Sequence, residues 1–242
     1  MQGEFAVDDD GDVVTLSLSG MPLGLGEAHK VHDAVAALIE TGRARVLVIT
    51  SAGEDFCPGP AAGFDPLAAG FDPAAKLADV RCPVIAVVKG KATSVGLELA
   101  LAADIRVAGE STRCSLPDAG LGRVPCWGGT QRLPRVVGPA NALMLLLLAA
   151  ELDGAQALEI GLVHELAEHP DARAAELAGS LAKLAPLALE CAKEAVREGI
   201  ELPLRAGLRM EGDMNHLLMT TKDRAEGLKA FFEKRSPSFT GQ

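Results

Sequence analysis

Residues 95 to 105 read Val95-Gly96-Leu97-Glu98-Leu99-Ala100-Leu101-Ala102-Ala103-Asp104-Ile105. Up to Ala103 this is a dense apolar helix interrupted by one charge, and it runs into Asp104-Ile105-Arg106-Val107, which reads as a strand. Glu98 has Val95, Leu97, Leu99, Ala100 and Leu101 around it, so the helix offers it no polar face. A carboxylate in that setting is paired, protonated or set against a cavity, because isolated burial of a charge costs too much. From the helix alone, a structural glutamate satisfied by local donors and a functional carboxyl are equally good accounts.

Outward from this helix the chain alternates strands and helices, which predicts an α/β protein. Val13 to Leu18, Val46 to Ile49 and Val84 to Val88 are short β-branched runs. Between the first two, Ala28, Val31, Val35, Leu38 and Ile39 recur at helical spacing over Gly26 to Thr41. Gly53 to Pro73 is rich in Gly, Pro and Ala and contains GFDP twice, which is read as loop rather than repeat. Ala140 to Glu151 is apolar nearly all round and predicts burial in a core or a subunit contact. From Ala172 onward three helical stretches are expected, broken near Pro186 and Pro203, which divides the chain into a core of residues 1–171 and a helical region of residues 172–242.

Composition excludes several function classes. A net charge of −10 with no run of Lys or Arg disfavours nucleic acid, and aromatics at 3% leave few surfaces on which bases could stack. The longest apolar run, Ala142 to Ala150, is too short to span a bilayer, and the acidic start MQGEFAVDDDGD does not resemble an export signal. Five cysteines, with neither a CxxC pair nor a zinc spacing, point to a reducing cytoplasm.

Local motifs are weak individually. His29 and His32 stand three apart on a predicted helix, but no second pair completes a metal site, and a solvated helix face is the simpler reading. Gly24-Leu25-Gly26 lacks the third glycine of a dinucleotide loop, and Ser111 and Ser115 lie in no nucleophile elbow. Asp118, between Pro117 and Ala119-Gly120, reads by itself as a turn or cap.

Several segments in order carry more. Phe56-Cys57-Pro58-Gly59-Pro60-Ala61, the run from Cys82 to Gly90, the Glu98 helix, Leu116 to Gly122 with Pro125 and Gly128 to Leu133, Ala155 to Val163, and the ending Phe232 to Phe239 together resemble the crotonase (enoyl-CoA hydratase/isomerase) family from Leu47 to the C-terminus. The resemblance implies a spiral of strand-strand-helix units with a helical C-terminal oligomerisation region, assembled as a homotrimer or a dimer of trimers. It implies an acyl-CoA thioester as substrate, coenzyme A entering only as part of that substrate, and no metal or redox cofactor. The reaction expected is hydration of a 2-enoyl-CoA; isomerisation of the double bond and acyl-CoA binding without catalysis are the alternatives.

Carried over by position, the resemblance makes Glu98 and Asp118 the catalytic carboxyls and Val95 the second oxyanion donor, with Gly59, Ala61, Gly96 and Trp127 lining the substrate. The first oxyanion donor falls on Pro60, which has no backbone N–H. Either the hole has lost a donor there, or a neighbouring N–H such as that of Ala61 fills the role. Asp118 stands where hydratases usually carry Glu, and Val95 where they usually carry Gly. Ser19 to Glu27 lacks the charged, Asn-containing motif common on the coenzyme side, and the loop Ala61 to Arg81 is short. Trp127 sits near the expected acyl end, with core packing as its competing role.

Overall fold

A computed structural model describes residues 4–242; Met1 to Gly3, the first part of the acidic start, lie outside it. The short runs expected as strands form β2 (Val13–Leu18), β3 (Val46–Ser51) and β4 (Val84–Val88), and the helical spacing between the first two forms α1 (Leu25–Thr41). With β1 (Ala6–Asp9), β6 (Ile105–Ala108) and β9 (Glu165–Leu166) they build a six-stranded sheet in the order β1-β2-β3-β4-β6-β9. All its pairings are parallel except β1 with β2. In a second sheet β7 (Arg113–Ser115) is central, paired in parallel with β5 (Lys91–Thr93) and antiparallel with β8 (Leu152–Asp153).

The spiral arises because successive strands go to different sheets. β4 lies in the large sheet, β5 in the small one, and α3 (Val95–Ala102) follows; β6 and β7 repeat the step, followed by a 3-10 turn at Pro117–Leu121. Both faces of the large sheet are covered, which is why its central strands are apolar without alternation. Leu47, Ile49, Val84, Ala86 and Val88 face the main core with α1, α2 (Pro73–Ala78) and α3. Val46, Val48, Ile85, Val87 and Val107 face Ala174 and Ala178 of α6 (Pro170–Leu181).

The helical C-terminal region contains four helices from Pro170 rather than three from Ala172. α7 (Pro186–Gly199) and α8 (Leu204–Met219) begin at the expected prolines, whereas α9 (Lys222–Glu233) begins at Thr221, whose hydroxyl oxygen accepts from Arg224 N–H at 3.1 Å. Threonine caps a helix without announcing itself as strongly as proline. The 171/172 division falls inside α6, the helix that covers the sheet. In α4 (Gly129–Leu148), which bends at Gly138, Ala142 and Leu145 are buried but Leu147 and Leu148 are 70% and 75% exposed in the single chain.

Two polar devices hold α3 and its strand in place. Arg106 is buried and donates from Nη1 to Ala103 O and from Nε to Leu162 O, both at 2.7 Å, closing the C-terminal end of α3. Lys193 of α7 pairs with Asp104 at 2.6 Å, and the same carboxylate accepts from Val84 N–H at 2.8 Å.

Candidate active site

The parallel pairing of β5 with β7 aligns Thr93 with Ser115, so the residues that follow each strand emerge side by side. One chain goes straight into α3 through Ser94, the other into the 3-10 turn that holds Asp118. Ser94 has a φ of 50°, unusual for a residue with a side chain, and is fixed by its N–H to Ser115 O at 3.0 Å. Its hydroxyl does not cap α3; it donates to Asp118 Oδ1 at 2.8 Å.

Asp118 is buried beneath this contact. Oδ1 also accepts from Arg123 Nε at 3.0 Å, while Oδ2 is buried without a partner. The same turn returns Arg123 N–H to Asp118 O at 3.1 Å, so backbone and side chain of the two residues are tied together.

Glu98, one turn into α3, is buried as its apolar neighbours require. Oε1 accepts from Trp127 N–H at 2.7 Å and from Gly129 N–H at 2.8 Å, the latter at the positive end of α4. Oε2 is buried and unpartnered. Burial pushes the carboxyl from its ordinary 4.5 up to about 7; the two N–H donors oppose the rise and the charge of Asp118 adds to it. Gly129 is glycine for space, since an added Cβ would stand 2.9 Å from Pro125 Cβ and 3.1 Å from Glu98 Oε1.

The two expected oxyanion segments meet at the start of α3. Cys57 crosses beside Gly96, where an added Cβ would collide with the Cys57 carbonyl, so glycine is needed for the approach itself. Cys57 is held there by its N–H to Lys91 O at 2.9 Å and by Thr93 N–H on its own carbonyl at 3.0 Å. Val95 opens α3, where helix geometry leaves its N–H without an intrahelical acceptor. Pro60 pairs across to Leu23: Leu23 N–H donates to Gly59 O and Ala61 N–H donates to Leu23 O, both at 2.8 Å. The Ala61 N–H is therefore already engaged and does not replace the donor missing at Pro60.

A sequence profile described as enoyl-CoA hydratase/isomerase matches residues 28–242. The chain belongs to this family. It is 42% identical over 170 residues to the 2,3-dehydroadipyl-CoA hydratase of Escherichia coli (strain K12), covering 69% of this chain and 67% of that one. It is also 42% identical over 172 residues to the mitochondrial methylglutaconyl-CoA hydratase of Rattus norvegicus, again 69% of this chain but only 55% of the relative's length. The crystal structure of an enoyl-CoA hydratase from Bacillus anthracis superposes with a TM-score of 0.92 at 33% identity, covering 98% of this chain and 99% of the other. The fold is therefore the crotonase spiral, and the chain is a member of an enzyme family.

In this family member a cavity of about 570 Å³ opens at the start of α3, lined by Ser94, Val95, Asp118 and Arg123 on the polar side and by Pro66, Leu67, Val124 and Pro125 on the apolar side. It brings together Val95 and Asp118. Glu98, Gly59, Pro60, Ala61 and Gly96 are outside its lining. The Trp127 ring is 1% exposed and edge-on to Phe64, and its backbone N–H is what holds Glu98. His29 stacks on Phe71 at 4.2 Å and His32 meets the same ring edge-on, with His29 exposed and His32 half-buried, in keeping with the solvated helix face expected for the pair.

Ser94, Arg123 and Gly129 belong to the site and carried no distinctive signal in isolation. A single arginine in the otherwise apolar run Leu121-Gly122-Arg123-Val124-Pro125 was the available clue, since a cation there needs a reason. Ser94 becomes legible only once the β5–β7 register sets it against Asp118.

Proposed function

We propose that the protein is an enoyl-CoA hydratase, adding water across the Cα=Cβ bond of a 2-enoyl-CoA thioester. The observation that carries this reading is that Asp118 and the Val95 end of α3 face one cavity while Glu98 stands one turn behind. Asp118 Oδ2 takes a proton from water as the water oxygen bonds to Cβ. The π electrons move onto the thioester oxygen, where the Val95 N–H and the positive end of α3 stabilise the enolate. Glu98, held protonated near neutrality by burial, then gives its proton to Cα, and the enolate electrons form the new C–H bond. Exchange with water returns a proton from Asp118 to Glu98 and closes the cycle.

Pro60 supports a second reading, an acyl-CoA binder with little or no turnover, because neither Pro60 nor Ala61 offers a donor at the first oxyanion position. Losing such a donor costs about 2.7–4 kcal/mol of transition-state stabilisation. Steady-state hydration of crotonyl-CoA and longer 2-enoyl-CoA thioesters, beside calorimetric binding of a saturated acyl-CoA, decides between them. Turnover supports the hydratase; tight binding with no turnover leaves the binder.

The proposed assembly is a homotrimer or dimer of trimers. α7 and α8 bury no residue in the single chain, and Leu204, Phe231 and Phe232 are 77–79% exposed, an apolar surface that a partner copy would cover. Among the described residues no helix is long and apolar enough to cross a membrane. The five free thiols fit the reducing, cytoplasmic setting we propose.

A further inference from the structure

Arg123 stands in the cavity wall with its side chain about one-third exposed, beside an Asp118 side chain that is 3% exposed. Its Nε and the Ser94 hydroxyl converge on the same oxygen, Oδ1, so rotation of the carboxylate is fixed from two directions and Oδ2 is left with no protein donor. Its neighbours Val124 and Pro125 are apolar, and the Arg123 backbone N–H returns to Asp118 O. An aspartate is one methylene shorter than a glutamate, so its reach depends on how it is held.

We propose that Arg123 is a positioning residue for the hydration, acting through Asp118 by turning the carboxylate so that Oδ2 takes the water proton. This rests on the hydratase reading. The guanidinium keeps Oδ1 occupied throughout; the proton from water goes to Oδ2, the water oxygen bonds to Cβ, and no proton is exchanged with Arg123, which stays charged. Ser94 keeps its hydroxyl proton and remains a donor to Oδ1.

The test is a double-mutant cycle on the full-length protein with crotonyl-CoA, using Arg123→Leu, Asp118→Asn and the pair, with Arg123→Lys as the conservative variant. Arg123→Leu is expected to lower kcat at least tenfold with KM changed less than threefold. Arg123→Lys should recover part of the loss, since an ammonium keeps the charge but not the planar fork. In the Asp118→Asn background, Arg123→Leu should cost less than threefold further, because the group it positions is already gone. Equal losses in both backgrounds, or unchanged kcat in Arg123→Leu, overturn the proposal. So does a fall in kcat that tracks a lowered Tm and is not recovered by lysine. If the wild type itself shows no hydration, the hydratase reading fails first and this role fails with it; an active wild type with an indifferent Arg123 removes this role alone.

Discussion

Glu98 and Asp118 are held alike: each gathers two donors on one oxygen and leaves the other buried and unpartnered. On Glu98 the donors are the N–H groups of Trp127 and Gly129, on Asp118 the Ser94 hydroxyl and the Arg123 guanidinium. The difference lies in the charge of the donors. Neutral amides hold Glu98 where burial dominates and raises its pKa, whereas a cation sits against Asp118.

The raised carboxyl of Glu98 makes stability depend on pH. A group that binds its proton more tightly in the folded state stabilises that state below its unfolded pKa, and the contribution is lost as pH rises through the folded value. For Glu98 the loss runs from about pH 4.5 to about pH 7 and amounts to at most about 3 kcal/mol. Glu98→Gln cannot ionise, so chemical denaturation at pH 5 and pH 8 should show the variant gaining stability relative to wild type at the higher pH. A difference between the two proteins that does not change with pH rejects the burial argument.

The same proton sets the expected rate profile. If Glu98 donates to Cα, kcat for hydration is flat below about pH 7 and falls by about tenfold per pH unit above it. Glu98→Gln should abolish turnover while leaving acyl-CoA affinity within a few fold. A rate that rises through pH 7 in the wild type would assign Glu98 the base role instead.

Much of this was legible from residue patterns, and the failures have definite causes. β2 and β4 came out at their expected ends because β-branched runs there end at turns, and Glu98 stood out because a charge in an all-apolar helix demands a partner. The partners themselves were not legible. Trp127 and Gly129 hold Glu98 through backbone N–H groups, which every residue but proline possesses, so side-chain chemistry gave no hint. For Trp127 core packing and contact with the acyl group were both open; its ring is buried, as packing requires, and its main-chain N–H holds Glu98. Ser94 depends on a strand register that brings residues 24 positions apart into contact, to which a linear reading has no access, whereas Arg123 reaches Asp118 from five positions on through the fold of one turn.

The apolar surface of the C-terminal helices gives a prediction about assembly. Leu204, Leu208, Phe231 and Phe232 are 58–79% exposed on a single copy, which a stable monomer would not tolerate well. Light scattering at micromolar concentration should give three or six times the mass of one chain. Phe231→Glu with Phe232→Glu should shift it toward one. A wild-type monomer would remove the oligomer proposal while leaving the fold untouched.

Pro60 offers the sharpest test of catalytic competence. The bonds from Leu23 N–H to Gly59 O and from Ala61 N–H to Leu23 O straddle residue 60, and in parallel pairing the straddled residue turns its own N–H to the opposite side. In Pro60→Ala that new N–H would point away from Leu23, and both flanking bonds would remain. The variant loses some loop stiffness, about 0.4–1 kcal/mol at most. A restored oxyanion donor is worth about a hundredfold or more in kcat when the hole is otherwise intact. Pro60→Ala should therefore raise hydration of crotonyl-CoA at least tenfold, with KM little changed, because the gain is made in the transition state. If Pro60→Ala leaves kcat unchanged in a protein that Glu98→Gln inactivates, the thioester oxygen already has its donors and Pro60 is only a structural element of the loop.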